Sequence, residues 1–180
     1  MGHEDEMKKN GDEAVRHGNG GEITAADYLR AVKSRLKSGN QKVAFELLQQ
    51  AAIQFPNDPF ILTYYGCLLA IVDKKYRSGV ETCRKAIALL KKASTFGEEM
   101  LYPVFYLNLG RAYLAAGKKD DAISAFKKGL QFDSRSGELV KELRALGIRK
   151  PPPVPFLDRT NLINKYIGKL LHVAGKKSAK

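Results

Sequence analysis

Histidine is scarce in this chain, with three among 180 residues (His3, His17 and His172). None stands with a nearby Cys, Ser and carboxylate in an arrangement that activates a nucleophile. Cysteine is scarcer still. Cys67 and Cys83 are two thiols on apolar helix faces, and two cysteines alone make no zinc site. They read as free core or groove thiols in a reducing compartment. Long apolar runs are missing: the longest, Tyr64 to Val72, falls far short of the roughly 20 residues of a membrane span. The alternation that marks β-strands is hard to find anywhere. The chain opens Met1-Gly2-His3-Glu4-Asp5-Glu6, without the basic and apolar regions of a secretion signal, and Glu6 stands where a myristoylation motif wants Ser or Thr. A cytoplasmic location is expected.

The remaining candidates for chemistry have simpler readings. Gly18-Asn19-Gly20-Gly21 has no phosphate-loop lysine after it. Asp120-Asp121 suits a helix start, where the macrodipole favours acids, and Glu98-Glu99 reads as solvated loop charge. No enzyme activity, cofactor or metal site is expected.

Acidic residues are outnumbered, 19 Asp+Glu against 31 Lys+Arg, for a net charge of +12. Residues 1–22 are net negative, whereas residues 147–180 hold eight bases and one acid. A basic surface can attract nucleic acid, anionic lipid or an acidic protein. No RNP, KH, zinc-finger or helix-turn-helix signature accompanies it, so nucleic acid is not the expected partner. The lysines are interspersed with glutamates, as on a solvated helix face.

What the chain does have is internal repetition. Ala44, Leu48 and Ala51 recur as Gly79, Cys83 and Ala86 after 35 residues, and as Ala122, Phe126 and Gly129 after a further 43. A period near 34 with small residues at fixed offsets marks stacked helical hairpins.

Local signals place the helices. Thr24 with Asp27 resembles a capping box, and Ser38-Gly39-Asn40 stops the first helix. Asn40 is placed to cap the second. Pro56-Asn57-Asp58-Pro59 ends one helix and starts another, with Asp58 as N-cap and Pro59 at the first helical position. That third helix, to about Val72, is apolar nearly all round, as expected in the middle of a stack. A fourth runs from Arg77 to about Lys92, a fifth from Pro103 to Gly117, a sixth from Asp120 to Phe132, and a seventh from Ser134 or Ser136 to Leu146.

Residues 25–133 resemble three tetratricopeptide repeats. The third unit matches best, through Tyr106, Leu109, Gly110, Tyr113, Ala122, Phe126 and Gly129. The second shows Leu62, Tyr65, Gly66, Leu69, Gly79, Cys83 and Ala86, with one residue inserted between its helices. The first shows Tyr28, Ala31, Val32, Ala44, Leu48, Ala51 and Pro56, departing at Arg35 where a tyrosine is usual. The resemblance implies an all-α, right-handed superhelical solenoid of antiparallel helix hairpins over residues 23–147, closed by a capping helix.

It also implies a non-catalytic adaptor whose first helices line a concave groove for a peptide or helix. Mapped here, that groove comprises Leu29, Lys33, Leu36, Phe60, Thr63, Cys67, Val104, Leu107, Asn108 and Arg111. One subgroup of the family clamps chaperone C-terminal carboxylates with two Lys, two Asn and an Arg. This chain has Leu29, Lys33, Tyr64, Val104 and Asn108 at those positions, so the clamp is absent. An amphipathic helix or an extended apolar peptide suits the groove better.

The flanks complete the organisation. Residues 1–22 lack large apolar side chains and are expected to be disordered. Four prolines at 151–155 make 148–157 an extended linker. Residues 158–174 then read as an amphipathic helix, with Leu162, Ile163, Tyr166, Ile167, Leu170 and Leu171 as its stripe. Residues 175–180 form a basic tail. Burying the stripe, at about 1.5–3 kcal/mol per large side chain, would offset the ordering of a short helix. Docking on its own chain is the first expectation, with exchange between two chains, and hence self-association, as a close variant. Use as an arm for another protein comes second. Anchoring on a membrane surface is the alternative from a different class.

Overall fold

The computed structural model describes residues 23–93 and 98–147. The expected N-terminal tail, proline linker and C-terminal stripe all lie outside them, as do residues 94–97. Among the described residues there are seven α-helices and no strand: α1 (Ala25–Lys37), α2 (Gln41–Gln54), α3 (Pro59–Ile71), α4 (Tyr76–Ala93), α5 (Tyr102–Ala115), α6 (Lys119–Phe132) and α7 (Gly137–Ala145). The chain divides into two compact units, Met1–Glu142 and Leu143–Lys180. Of the second, only Leu143–Gly147 is described.

The helix starts follow from local chemistry. Thr24 Oγ1 accepts from the Asp27 N–H at 3.3 Å while Asp27 Oδ2 accepts from the Thr24 N–H at 3.1 Å, the reciprocal pair of a capping box. Asp58 Oδ1 accepts from the Ile61 N–H at 2.9 Å, with Pro59 directly behind it. Asn40 precedes α2, but its side chain makes no capping bond, contrary to expectation. Pro103 is the second residue of α5 rather than its first. The preceding stretch contains a 3-10 turn over Glu98–Leu101. Helix α7 begins directly after Ser136.

Helices α1–α2, α3–α4 and α5–α6 form three antiparallel hairpins, and in the second and third the paired helices nearly touch. In the second hairpin Gly66 faces Gly79: a Cβ on Gly66 would lie 2.7 Å from the Gly79 carbonyl oxygen and 2.8 Å from the Cys83 nitrogen. In the third, Gly110 faces the ring of Phe126, which is wholly buried.

Between hairpins the wedge fills with large apolar groups. Tyr28, Val32, Leu48, Ile61 and Leu68 form one cluster between the first and second. Leu62, Ala86, Leu90 and Phe105 form another between the second and third. Arg84 of α4 reaches α5 and donates from Nε and Nη2 to the Tyr113 hydroxyl at 3.0 and 2.6 Å. Beyond α6, Leu139 of α7 is fully buried and lies against Gly129.

Candidate functional site

Helices α3 and α5 present a row of side chains each, and α1 its Leu36, to a shared cavity of about 650 Å³. It is lined by Leu36 from α1, Gln41 at the start of α2, Tyr64, Cys67, Leu68 and Ile71 from α3, Lys74 in the following turn, and Asn108, Arg111, Leu114 and Ala115 from α5. The α3 residues fall at i, i+3, i+4 and i+7, which puts them on one helix face. The lining is mostly apolar, with polar atoms at a few points, as in most sites that hold an organic ligand.

Asn108 is the most informative of those points. It is only 3% exposed, and its Nδ2 has no hydrogen-bond partner. A buried donor left unpaired costs about 1–3 kcal/mol, so such groups call for an explanation. Asn108 lines the cavity, so a turn of its side chain would bring the unpaired donor to a carbonyl oxygen of whatever fills it.

Arg111 lies one turn on. Its Nε donates to Glu142 Oε1 of α7 at 2.7 Å, both side chains remaining partly exposed. On the α1 side, the Lys33 ammonium sits 6.0 Å from the centroid of the Tyr64 ring, within range of a cation–π contact.

Electrostatics keep the cavity's weak acids neutral. Burial pushes the Cys67 thiol up to about 12, against the pull of Arg111 and with the help of Glu142. Burial likewise raises the Tyr64 phenol, reinforced by Glu138 and Cys67 and opposed by Arg111. A thiol held protonated is a poor nucleophile. The cavity offers shape, apolar surface and a few donors.

Four of the ten residues assigned to the groove from sequence line the cavity: Leu36, Cys67, Asn108 and Arg111. Lys33 is exposed beside Tyr64. The others lie elsewhere. Thr63 and Leu107 are buried and are not part of the cavity lining. Phe60 makes an edge-to-face contact with Phe105 at 5.2 Å, and with Val104 it packs against the cluster between the second and third hairpins. Leu29 packs against the first cluster. Sequence reasoning missed Tyr64, Leu68, Ile71, Leu114 and Ala115 as lining, along with Gln41 and Lys74 in or beside the turns. The rows of α3 and α5 that meet the cavity run a turn nearer the helices' C-termini than expected. The i, i+3, i+4, i+7 row from Tyr64 was the signal that could have found them. The six stripe residues from Leu162 to Leu171 lie outside the described residues.

No family model and no curated protein matches the sequence. Solved structures do. The first TPR domain of human RPAP3 superposes with a TM-score of 0.51 at 20% identity, over 68% of this chain and 89% of that one. The chain carries a tetratricopeptide-repeat fold. Cut9, from the APC/C hetero-tetramer Cut9–Hcn1, aligns at 26% identity with a TM-score of 0.57, over 71% of this chain but only 24% of its own. MamA aligns at 19% identity with a TM-score of 0.50, over 87% and 82% of the two chains. The RPAP3-type domain of Spaghetti, with a TM-score of 0.50 at 20% identity, has been solved bound to an HSP90 peptide. In the chain described here, the cavity lies on the row of first helices.

Proposed function

We propose that this protein is a non-catalytic adaptor that holds a short extended peptide, or an amphipathic helix, in the cavity between α1, α3 and α5. The observation that carries the reading is Asn108: a buried, unpartnered amide donor on the wall of an apolar cavity large enough for one or two side chains. A peptide supplies what that site lacks, a carbonyl acceptor for Nδ2 and an apolar side chain for the space beside it. The peptide bound to the Spaghetti domain supports this use of the fold. A chaperone tail is not the ligand favoured here: Leu29 and Val104, at two of the clamp positions, pack in apolar clusters. The chain's own stripe, Leu162 to Leu171, is a further ligand of suitable chemistry, acting in cis or from a second copy. The two buried free thiols fit a reducing, cytoplasmic setting.

The test is selection of peptides from a random library displayed on phage, using the full chain and its Asn108→Leu variant. Leucine removes the unpaired donor at similar volume, so the variant should be at least as stable as the parent. It should nonetheless lose at least tenfold in affinity for the selected peptides, measured by fluorescence polarisation. Undiminished binding by Asn108→Leu, or no enrichment with the parent chain, would end the reading.

A further inference from the structure

The three turns that join the helices of each hairpin are built differently in one respect. The first places Gly39 at φ +78 and closes with the Asn40 N–H donating to the Arg35 carbonyl at 2.9 Å. The third places Gly117 at φ +72 and closes with the Lys118 N–H donating to the Tyr113 carbonyl at 2.9 Å. Both are left-handed positions that glycine fills without steric penalty, and both glycines face open space.

The second turn is one residue longer, closing with the Lys75 N–H donating to the Leu69 carbonyl at 3.1 Å. Its left-handed position is taken by Lys74, at φ +58. Among the described residues Lys74 is alone in having a side chain at positive φ. An unbranched L-residue tolerates that conformation only at a cost, and such strain collects where function needs a side chain.

Lys74 is also the turn residue that lines the cavity. Its neighbours satisfy each other, Lys75 Nζ lying 2.8 Å from Asp73 Oδ2. The cavity's other lining cation, Arg111, is held by Glu142. The Lys74 ammonium has no carboxylate partner among the described residues. A cation at the end of α3 also suits that helix's dipole. The dipole, however, asks only for a charge near the helix end and not for one on the residue at the turn's left-handed position.

We propose that Lys74 selects the ligand: it pairs with an Asp or Glu side chain that flanks the apolar anchor seated between Tyr64, Ile71 and Leu114. This rests on the groove reading above and specifies the ligand's chemistry. The apolar wall takes the anchor, Asn108 takes a backbone carbonyl, and Lys74 at the mouth takes the acid. Charge complementarity favours an acidic partner over a basic one, since the further cation beside the cavity, Lys33, adds to the same field.

The experiment pans a random peptide library on the full chain and then titrates the best peptide by fluorescence polarisation. Its acid→amide analogue and its C-terminally amidated form are titrated in parallel. All three are measured against the parent, Lys74→Gly and Lys74→Gln. Lys74→Gly should fold with a Tm no lower than the parent's, because glycine suits the turn. The acid→amide change should weaken binding to the parent about three- to fivefold, the range of a solvent-accessible ion pair, and should leave binding to either variant unaffected. C-terminal amidation should change nothing. Selected peptides without an acid, equal losses in parent and variants, or loss on C-terminal amidation alone would overturn the assignment of Lys74. Failure to select any peptide would overturn the groove itself.

Discussion

Cys67 and Cys83 are both buried, and burial raises both thiols, Cys67 to about 12 and Cys83 well above its ordinary value. In an unfolded chain a cysteine ionises near 8.5–9, so below about pH 8 both states are protonated and the thiols add no pH dependence to stability. Above about pH 9 the unfolded chain has released protons that the fold retains. The unfolded state then binds fewer protons, and stability falls as pH rises. Each thiol contributes a slope approaching about 1.4 kcal/mol per pH unit, for Cys67 until about pH 12 is reached. A variant with Cys67→Ala and Cys83→Ala should be less stable at neutral pH, from lost packing, yet should lose less between pH 8 and pH 10. Urea unfolding midpoints at the two pH values decide it. Equal losses in parent and variant would mean that the folded thiols titrate as they do in the unfolded chain.

The helices stand where capping and turn chemistry put them, and that chemistry is visible in single residues. Asp58 with Pro59, Thr24 with Asp27, Gly39 and Gly117 each announce a boundary because the cap or the left-handed turn demands those residue types. The small residues at the repeat offsets were legible for the same reason. At Gly66 the atoms that a Cβ would meet belong to the backbone of α4, at 2.7 and 2.8 Å, and cannot rotate away. Gly66→Ala should therefore force α3 and α4 apart and cost about 1–3 kcal/mol, lowering the thermal midpoint by several degrees. A calorimetric midpoint within a degree of the parent's would contradict the close crossing. The groove was less legible, and the reason lies in α3 and α5. Both are buried on most of their circumference, so no polar stripe separates the face that meets the cavity from the faces that meet neighbouring helices. Thr63 and Asn108 illustrate the ambiguity: both are polar residues on apolar helices, yet only Asn108 lines the cavity. The break between α3 and α4 was legible too, but no glycine marks Lys74 as its left-handed position.

Within the unit of Met1–Glu142, stability should be graded along the stack. Among the described helices, α3 packs against α1, α2, α4 and α5, whereas α1 packs mainly against α2 and α3. In a repeat array each hairpin is held by its own contacts and those of its immediate neighbours, so an end hairpin opens at lower free energy than one flanked on both sides. Native-state hydrogen exchange in rising urea should show α1 amides, such as those of Tyr28 and Val32, exchanging through a partial opening. Those of Leu68 and Leu69 in α3 should exchange only through global unfolding. Identical free energies at zero denaturant would make the unit a single cooperative block and refute the graded picture. The same gradient bears on binding. A ligand seated between α1, α3 and α5 touches the hairpin that opens first, so it stabilises α1 by mass action more than it stabilises α3 against local opening. Selected peptides should therefore raise protection in α1 at urea concentrations where α3 is unchanged. A peptide that protects only α5 and α6 would be bound elsewhere on the stack.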